Sequence, residues 1–252
     1  FERNFDERAA VEWMRDHWHR TLFYSVAYLI LIFGIQHFMK ERAAYKLRLP
    51  LMLWSFSLAL LSAVGALRIG KQMSFLLSTK GFKQTVCSKS FYVHPVSKLW
   101  VYLFVVSKVL ELGDTVFIVL RKKKLIFLHW YHHAITMVLG WYSYKDMTAG
   151  IGWPAFLNFS VHAMMYSYYT VKAAGFRVPR FISMAVTATQ IVQLIGYIII
   201  NIFAVYWMDD KVCPFTWTNF FLSFTLFISV LVLFCNYFWK MYLSSTKKSK
   251  GE

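Results

Sequence analysis

Three histidines in an otherwise apolar stretch are the strongest sign of chemistry in this 252-residue chain. His129, His132 and His133 follow the pattern H-x-x-H-H. In a helix this spacing places the three imidazoles on one face, within an arc of roughly 100°. Ionisable groups at bilayer depth cost roughly 2.5–3.5 kcal/mol each on insertion scales. Three of them together therefore indicate a functional site rather than packing.

Acidic and basic residues precede the histidines at helical spacing. Lys108, Glu111 and Asp114 follow one another at three-residue steps, which puts them on one helical face. Lys108 and Glu111 can pair at i,i+3 and offset part of the cost of burial. This set is interpreted either as support for the site or as an ion pair that locks two helices together.

Two later segments carry polar faces of their own. Asn158, His162, Tyr166 and Tyr169 are spaced by 4, 4 and 3 residues and share one helical face. In the next segment, the residues on one face are Gln190, Gln193, Tyr197 and Asn201. Tyrosines near a helix end also form interfacial belts, and amides also join packed helices, so both faces have a structural alternative.

The elements that must position these residues are transmembrane helices. The chain is 58% hydrophobic and only 16% charged, which is unlike a soluble domain of this size. The apolar residues form long runs typical of membrane spans. We predict an all-α membrane protein with one domain over residues 1–252 and seven spans: roughly 21–39, 50–67, 97–120, 126–142, 151–170, 181–206 and 217–240.

The basic residues suggest how the spans are oriented. The net charge of +16 comes mainly from short loops between apolar runs, which fits anionic lipid and phosphate-bearing substrates rather than nucleic acid. We predict that the loops at 40–49, 121–124 and 171–180 and the tail at 241–252 are cytosolic. The N-terminal segment 1–20 and the loops at 68–96, 143–150 and 207–216 are then lumenal, although the 68–96 loop is more basic than expected.

Two cysteines and two lysines bear on the compartment. Cys87 and Cys213 both fall in predicted lumenal loops, where disulfides are permitted, so we predict a bridge between them; two free thiols are the alternative. Lys248 and Lys250, fifth and third from the end, resemble a retrieval signal of the endoplasmic reticulum, or belong to an ordinary basic tail.

Four motifs together resemble those of the very-long-chain fatty acid elongase family, the membrane condensing enzymes that act on acyl-CoA and malonyl-CoA. The motifs are KVLELGDT at 108–115, HWYHH at 129–133, HAMMYSYY at 162–169 and TQIVQ at 189–193. They stand in the family's order, and the similarity covers essentially the whole chain. The sequence around the histidines, residues 124–133, is most similar to that of the subgroup that acts on saturated and monounsaturated acyl chains.

The resemblance implies seven helices, six of which ring a narrow tunnel for the acyl chain. It also implies residence in the endoplasmic reticulum membrane and the first step of elongation. That step joins acyl-CoA to malonyl-CoA and yields 3-oxoacyl-CoA, free CoA and carbon dioxide. No cofactor is expected. Other enzymes of the elongation cycle and a second copy of the chain are possible partners, while the preferred chain length stays open.

The histidines could carry out this condensation by a covalent route. Burial favours the neutral imidazole that a nucleophile requires. Our hypothesis is that His132 or His133, with a slight preference for His132, attacks the thioester and forms an acyl-imidazole. His129 and His162 would then orient neighbours or transfer protons.

Other residues are assigned supporting roles. Asn158 and Gln190 are amide donors suited to developing oxyanions, while Asp114 and Glu111 would fix imidazole tautomers. The residues predicted to contact substrate are Lys108, Arg121, Lys122, Lys123, Lys124, Tyr166, Tyr169, Arg177, Arg180, Gln190 and Gln193. The loop cations among them would meet CoA phosphates, although topology signalling explains most of them equally well.

Two other functions share some of these features. A membrane di-iron desaturase or hydroxylase also uses H-x-x-H-H boxes, but it needs about eight clustered histidines. Of the eight present here, His17, His19, His37 and His94 are scattered. A seven-span receptor or transporter would use the polar faces to line a ligand or proton path, but it gives no reason for four histidines beside a basic loop.

Overall fold

The computed structural model describes residues 2–209 and 211–244. Within these residues the chain is helical, as predicted, and the only β pairing is an isolated bridge between Asp209 and Cys213. The α-helices are α1 (Glu7–His17), α2 (Arg20–Phe38), α3 (Arg48–Lys80), α4 (Phe82–Cys87), α5 (Ser90–Val93), α6 (Ser97–Glu111), α7 (Gly113–Leu120), α8 (Phe127–Lys145), α9 (Gly152–Ala173), α10 (Arg180–Tyr206) and α11 (Trp217–Phe238).

Each predicted span coincides with a helix or a pair of helices. Four segments are long and apolar enough to cross a membrane: Arg20–Phe38, Arg48–Lys80, Arg180–Tyr206 and Trp217–Leu243. Helices α8 and α9 have sufficient length, but their histidines and other polar residues lower the mean hydropathy. The chain is therefore a multi-pass membrane protein with at least four apolar spans among the described residues.

Helix α3, which contains the second predicted span, is longer than predicted. The expected span ended at residue 67 and was followed by a loop, but α3 continues to Lys80, and α4 and α5 occupy much of the remainder. The extension is amphipathic, because Ile69, Gln72, Met73 and Leu76 are buried on one face. Hydropathy averaging misses such a segment, because the exposed residues Lys71, Ser74, Ser78 and Lys80 lower the mean even though Phe75 and Leu77 are exposed beside them.

The third predicted span is divided into two helices. Helix α6 ends at Glu111 and α7 begins at Gly113. Gly113 is required by close packing, because a Cβ atom there would lie 2.7 Å from Cζ2 of Trp54. This contact brings the α3 indole against the start of α7, next to Asp114.

The N-terminal segment, for which the sequence predicted only a lumenal position, forms the helix α1. Helix α1 buries Val11 and Met14 in the largest apolar cluster, and Asp6 caps its first turn by accepting hydrogen bonds from two backbone amides at 3.0 Å. Lys98 at the start of α6 donates to Glu7 over 2.8 Å. These contacts fasten α1 to the ends of α6 and α8.

The connections at one end of the bundle contact one another, and they are the connections predicted to be cytosolic. Lys122 donates to the carbonyl oxygens of Lys40 and Arg42 at 2.9 and 3.0 Å. Arg48 donates to Ala173 at 3.0 Å and also to Ala174. Of the predicted tail at 241–252, residues 245–252, which include Lys248 and Lys250, lie outside the described residues; its first residues continue α11 as a π-helical turn over Trp239–Leu243. We call this end of the molecule the basic end.

The opposite end is held by a disulfide. Cys87 and Cys213 are bonded to each other, the pairing expected from the sequence. The loop between α8 and α9 joins both cysteine segments, because Ala149 donates to Pro214 and Gly150 to Val86, each over 2.7 Å. We call this the disulfide end.

Candidate active site

A buried ion pair lies at the centre of the bundle. Lys108 Nζ is 2.7 Å from Glu111 Oε1, as the i,i+3 spacing predicted, and it donates to Asn158 Oδ1 over 2.6 Å. Lys108 and Glu111 expose only 6% and 3% of their surface. Ser107 and His162 also approach Glu111 Oε1, at 3.0 and 3.6 Å. The pair thus joins α6 to α9 and holds Asn158 with its amide nitrogen as the remaining polar atom.

The three histidines of α8 form one contiguous group. The His129 and His133 ring centroids are 4.5 Å apart, and those of His132 and His133 are 5.3 Å apart. His129 Nε2 lies 3.0 Å from the hydroxyl of Thr115, which is itself 2.7 Å from the hydroxyl of Tyr28. A hydroxyl chain therefore orients His129, although the sequence indicated carboxylates for that purpose.

Asp114 differs from its predicted role. Its Oδ1 accepts from the Trp54 indole over 2.7 Å, and its Oδ2 accepts from the Tyr166 hydroxyl over 2.6 Å. Asp114 thus fixes a tryptophan and a tyrosine instead of an imidazole tautomer. The Tyr166 ring in turn stands edge-on to His162, with centroids 5.3 Å apart, so Asp114 acts on the histidines only through Tyr166.

Two cavities meet at this cluster. The wider one, of about 730 Å³, opens toward the basic end and is lined by all four clustered histidines, together with Asp114. The narrower one, of about 110 Å³, runs from Lys108 and Asn158 toward the disulfide end. His132 lines both cavities, so it stands where one passes into the other.

Six of the seven predicted spans line these cavities. The described lining residues belong to α3, α6, α7, α8, α9, α10 and α11 and the loops beside them, and none belongs to α2. Helix α2 packs instead on the outside, where Tyr28 and Ile32 contact a cluster that includes Ala134. Seven membrane spans, six of them around an acyl-chain tunnel, stay a prediction, since four of these helices meet the criteria for a span among the described residues.

The predicted substrate-contacting residues divide between the two cavities. Gln190 and Tyr169 line the wide cavity, where the Gln190 amide donates to Met165 Sδ over 3.1 Å. Gln193 lines the narrow one, and its Oε1 has no hydrogen-bond partner among the described residues. Tyr166 lines neither cavity and contacts both Asp114 and His162.

The basic residues do not all reach the wide cavity. Arg121 and Lys123 line it, whereas Lys122 is occupied with backbone carbonyls of the 40–42 turn. The remaining three predicted cations, which do not line either cavity, are Lys124, Arg177 and Arg180. Arg180 instead donates to the carbonyl oxygens of Met241 and Tyr242 at 3.0 and 3.2 Å.

Several site residues were missed by sequence reasoning. Lys172 lines the wide cavity and donates to Tyr168 over 2.9 Å; its position four residues after Tyr168 was a usable signal. Thr115 is the last residue of the motif at 108–115, a signal that the assignment of site residues did not use, whereas Trp54 offered none because a tryptophan in an apolar helix is ordinary. Among the described residues, no group of three His, Cys, Asp or Glu side chains is arranged to hold a metal ion.

The fold and site together define a helical multi-pass membrane protein with a polar histidine cluster inside the bundle, reached by a cavity from the basic end. The chain belongs to the GNS1/SUR4 (ELO) family, which matches residues 13–250. It is 50% identical to the mouse protein named very long chain fatty acid elongase 6, over 99% of this chain and 94% of that protein. The human protein named very long chain fatty acid elongase 3 is 41% identical, over 99% of this chain and 92% of its own length.

Proposed function

We propose that this protein is the condensing enzyme of fatty acid elongation, a 3-oxoacyl-CoA synthase. It joins a long-chain saturated or monounsaturated acyl-CoA to malonyl-CoA, with loss of carbon dioxide. The observation that carries this proposal is the position of His132 between two unlike cavities. One suits a large anionic group and the other a thin apolar chain, and the thioester of an acyl-CoA is the bond that lies between those two parts.

The proposed reaction proceeds in two steps through His132. A ring nitrogen attacks the thioester carbonyl, the carbon–sulfur bond breaks, and CoA leaves as a thiolate that takes up a proton, forming an acyl-imidazole. Malonyl-CoA then loses carbon dioxide. The resulting enolate carbon attacks the acyl carbonyl carbon. The bond between that carbonyl carbon and the imidazole nitrogen then breaks, giving 3-oxoacyl-CoA and free His132.

Neighbouring groups support these steps. Because Asn158 Oδ1 accepts from Lys108, its amide nitrogen is the end that can donate to an oxyanion, in the role of a preorganised donor, although the Tyr197 hydroxyl also interacts with this amide. Gln190 is the corresponding amide donor on the wide-cavity side. His133, His129 and His162 surround the nucleophile, and they serve to orient it and to transfer protons.

The basic residues of the wide cavity provide the expected partners for CoA. Arg121, Lys123 and Lys172 bring three cations to its lining, and guanidinium and ammonium groups bind phosphates by charge-assisted hydrogen bonds. The basic end therefore faces the cytosol, the side from which both CoA thioesters are taken. No cofactor takes part in this reaction.

The topology that fits this orientation has seven spans in one domain, an N-terminus in the lumen and a C-terminus in the cytosol. The separation of the connections into a basic set and a disulfide-bonded set supports it, since short cytosolic loops are rich in lysine and arginine and disulfides persist in the lumen. The membrane is that of the endoplasmic reticulum. Membership of the elongase family argues against the desaturase, receptor and transporter that the polar faces left open.

The proposal is tested by intact-protein mass spectrometry of purified protein given acyl-CoA alone. We expect an added mass equal to the acyl group in the native protein and in His133→Ala, and none in His132→Ala. Ser229→Ala is the matched control, because Ser229 contacts Tyr131 and lines neither cavity.

Two results would change the proposal. An adduct in His132→Ala but not in His133→Ala would move the nucleophile by one residue. Condensation with malonyl-CoA in the absence of any adduct would mean direct attack on a bound thioester, with the histidines acting as bases and donors.

A further inference from the structure

The far end of the narrow cavity is more polar than a hydrocarbon chain requires. Thr148, Asn201, Asn219 and Ser223 all line this cavity, and each is more than nine-tenths buried. Buried hydroxyl and amide groups are unfavourable unless they are hydrogen-bonded. The methyl end of an ordinary acyl chain supplies no hydrogen bond.

Two of these side chains have an oxygen without a partner among the described residues. The Asn219 amide nitrogen donates to Thr216 Oγ1 over 3.1 Å, but its Oδ1 has no partner. The hydroxyl of Thr148 has none either. Leaving a buried polar atom unpaired costs more free energy than an ordinary hydrogen bond contributes. We therefore expect a ligand or an ordered water to supply the hydrogen-bond partner that each of these two oxygens lacks.

The neighbouring groups limit the ligand to a neutral one. Ser223 donates to Asn201 Oδ1 over 2.9 Å, which ties α11 to α10 beside Asn219. The ionisable residues among the described cavity lining are Lys108, His132 and Tyr197, and the charged Lys108 is paired with Glu111 near the histidines. A carboxylate at the far end would be buried without a cation, whereas a hydroxyl would not carry that cost.

Helix α11 supplies a length scale for the cavity. The Phe234 ring centroid lies 6.2 Å from that of His132, and Asn219 precedes Phe234 in the same helix by fifteen residues, or about 22 Å at the helical rise. Ser223 is about 17 Å away on the same scale. An extended carbon chain advances about 1.25 Å per atom, given bonds of about 1.5 Å at about 111°. The end of a chain of about 13 to 18 carbons therefore reaches this polar end.

We propose that the polar end of the narrow cavity binds the terminal hydroxyl of an ω-hydroxyacyl-CoA, so that the protein elongates ω-hydroxylated chains in addition to methyl-ended ones. This inference rests on the proposed condensing function. The substrate hydroxyl donates to Asn219 Oδ1 and accepts from the Thr148 hydroxyl, so each finds the partner it lacks. The reaction at the thioester is unchanged.

The test is a competition between two substrates of equal length. Purified protein receives palmitoyl-CoA, 16-hydroxypalmitoyl-CoA and malonyl-CoA together, and mass spectrometry measures the ratio of the two elongated products. We expect the hydroxylated chain to be favoured by about three- to tenfold in kcat/KM, the effect of one net hydrogen bond. In Thr148→Val and Asn219→Leu the preference should fall or reverse, and in the control Ser229→Ala it should stay as in the native protein.

The outcomes separate this inference from the function on which it rests. Equal use of both chains by the native protein, or preference for the methyl-ended one, would overturn the inference while leaving the condensing function intact. Failure to elongate palmitoyl-CoA at all would overturn the function itself. An unchanged preference in the near-isosteric Thr148→Val, with activity on palmitoyl-CoA retained, would remove Thr148 from the hydroxyl site.

Discussion

The two cavities that meet at His132 differ in width, charge and construction. The wide one is lined by Arg121, Lys123 and Lys172, and its surroundings are joined by hydrogen bonds from long basic side chains to backbone carbonyls. The narrow one ends among residues held by a disulfide and by two 2.7 Å backbone hydrogen bonds. The two ends of one bundle are thus fastened differently, by hydrogen bonds to backbone carbonyls at the basic end and by a covalent bridge at the disulfide end. Under the proposed function, the first end would receive the CoA group and the second would limit the length of the acyl chain.

The strongest test of this comparison is at the boundary between the cavities. Glu111→Ala leaves the Lys108 ammonium buried without its counter-charge, and breaking a buried pair in this way costs about 3–5 kcal/mol. We expect a large fall in the thermal unfolding temperature in detergent and loss of condensation. Glu12→Ala, an exposed glutamate on α1, is the control and should change neither.

A double variant separates stability from chemistry at the same place. Replacing a buried ion pair by apolar residues of similar size is often neutral or stabilising, so Lys108→Met with Glu111→Leu should recover much of the unfolding temperature. It should not recover condensation, because Asn158 loses the donor that orients it. Recovery of activity together with stability would mean that the pair is only a lock between α6 and α9.

The disulfide end is tested by Cys87→Ser with Cys213→Ser. The bridge spans 126 residues of sequence, and loss of a native disulfide typically costs about 2–5 kcal/mol. We expect a lower unfolding temperature that no longer responds to reductant. Cys235→Ser, which changes the exposed free cysteine on α11, should leave the response to reductant as it is in the native protein.

The basic end predicts a smaller effect of a different kind. Replacing Arg121, Lys123 or Lys172 with glutamine should raise the KM for acyl-CoA about two- to fivefold each, since exposed charge pairs contribute about 0.2–1 kcal/mol. The increase should shrink at high salt, which screens exposed charges. Arg177→Gln is the matched control, because Arg177 is exposed and lines neither cavity. An equal rise in its KM would show that the effect reflects overall charge.

The smallest effect is expected at the N-terminal helix, beside the disulfide end. The hydrogen bond from Lys98 lowers the pKa of Glu7 below its ordinary value of 4.5. A carboxylate with a lowered pKa stabilises the fold above its unfolded value and loses that contribution as the pH falls through its folded value. Glu7→Gln should therefore reduce the free energy of unfolding at neutral pH by under about 1 kcal/mol after solvent screening. The unfolding temperature should fall slightly as a result. The variant should differ less from the native protein below pH 4.5, whereas a constant difference would point to lost packing.

Periodicity and charge predicted much of the site. The i,i+3 spacing of Lys108 and Glu111 predicted their ion pair, and the spacing of His129, His132 and His133 predicted one imidazole group. These predictions succeed because residues three and four apart on a helix must lie on one face. The roles of individual residues in catalysis stay predictions.

Contacts between distant helices were not predictable in the same way. The bond from Trp54 to Asp114 joins α3 to α7, and the approach of Thr115 to His129 joins α7 to α8. Trp54 has no sequence signal, since a tryptophan fits any apolar helix, and the motif that contains Thr115 does not indicate its partner on α8. The continuation of α3 to Lys80 was missed for a related reason, because its amphipathic face matters only where another helix covers it.

By itself, the sequence determined that this protein is helical, membrane-embedded and built around a polar histidine face, because the cost of placing charges in lipid leaves few alternatives. It also determined the family, through four motifs in order. The tertiary structure alone decided that His132 stands between two cavities, that Asp114 holds a tyrosine and a tryptophan, and that only some of the loop cations reach the site. Those features depend on how helices far apart in sequence pack, and a hydrophobic pattern specifies which face is buried without specifying its neighbour.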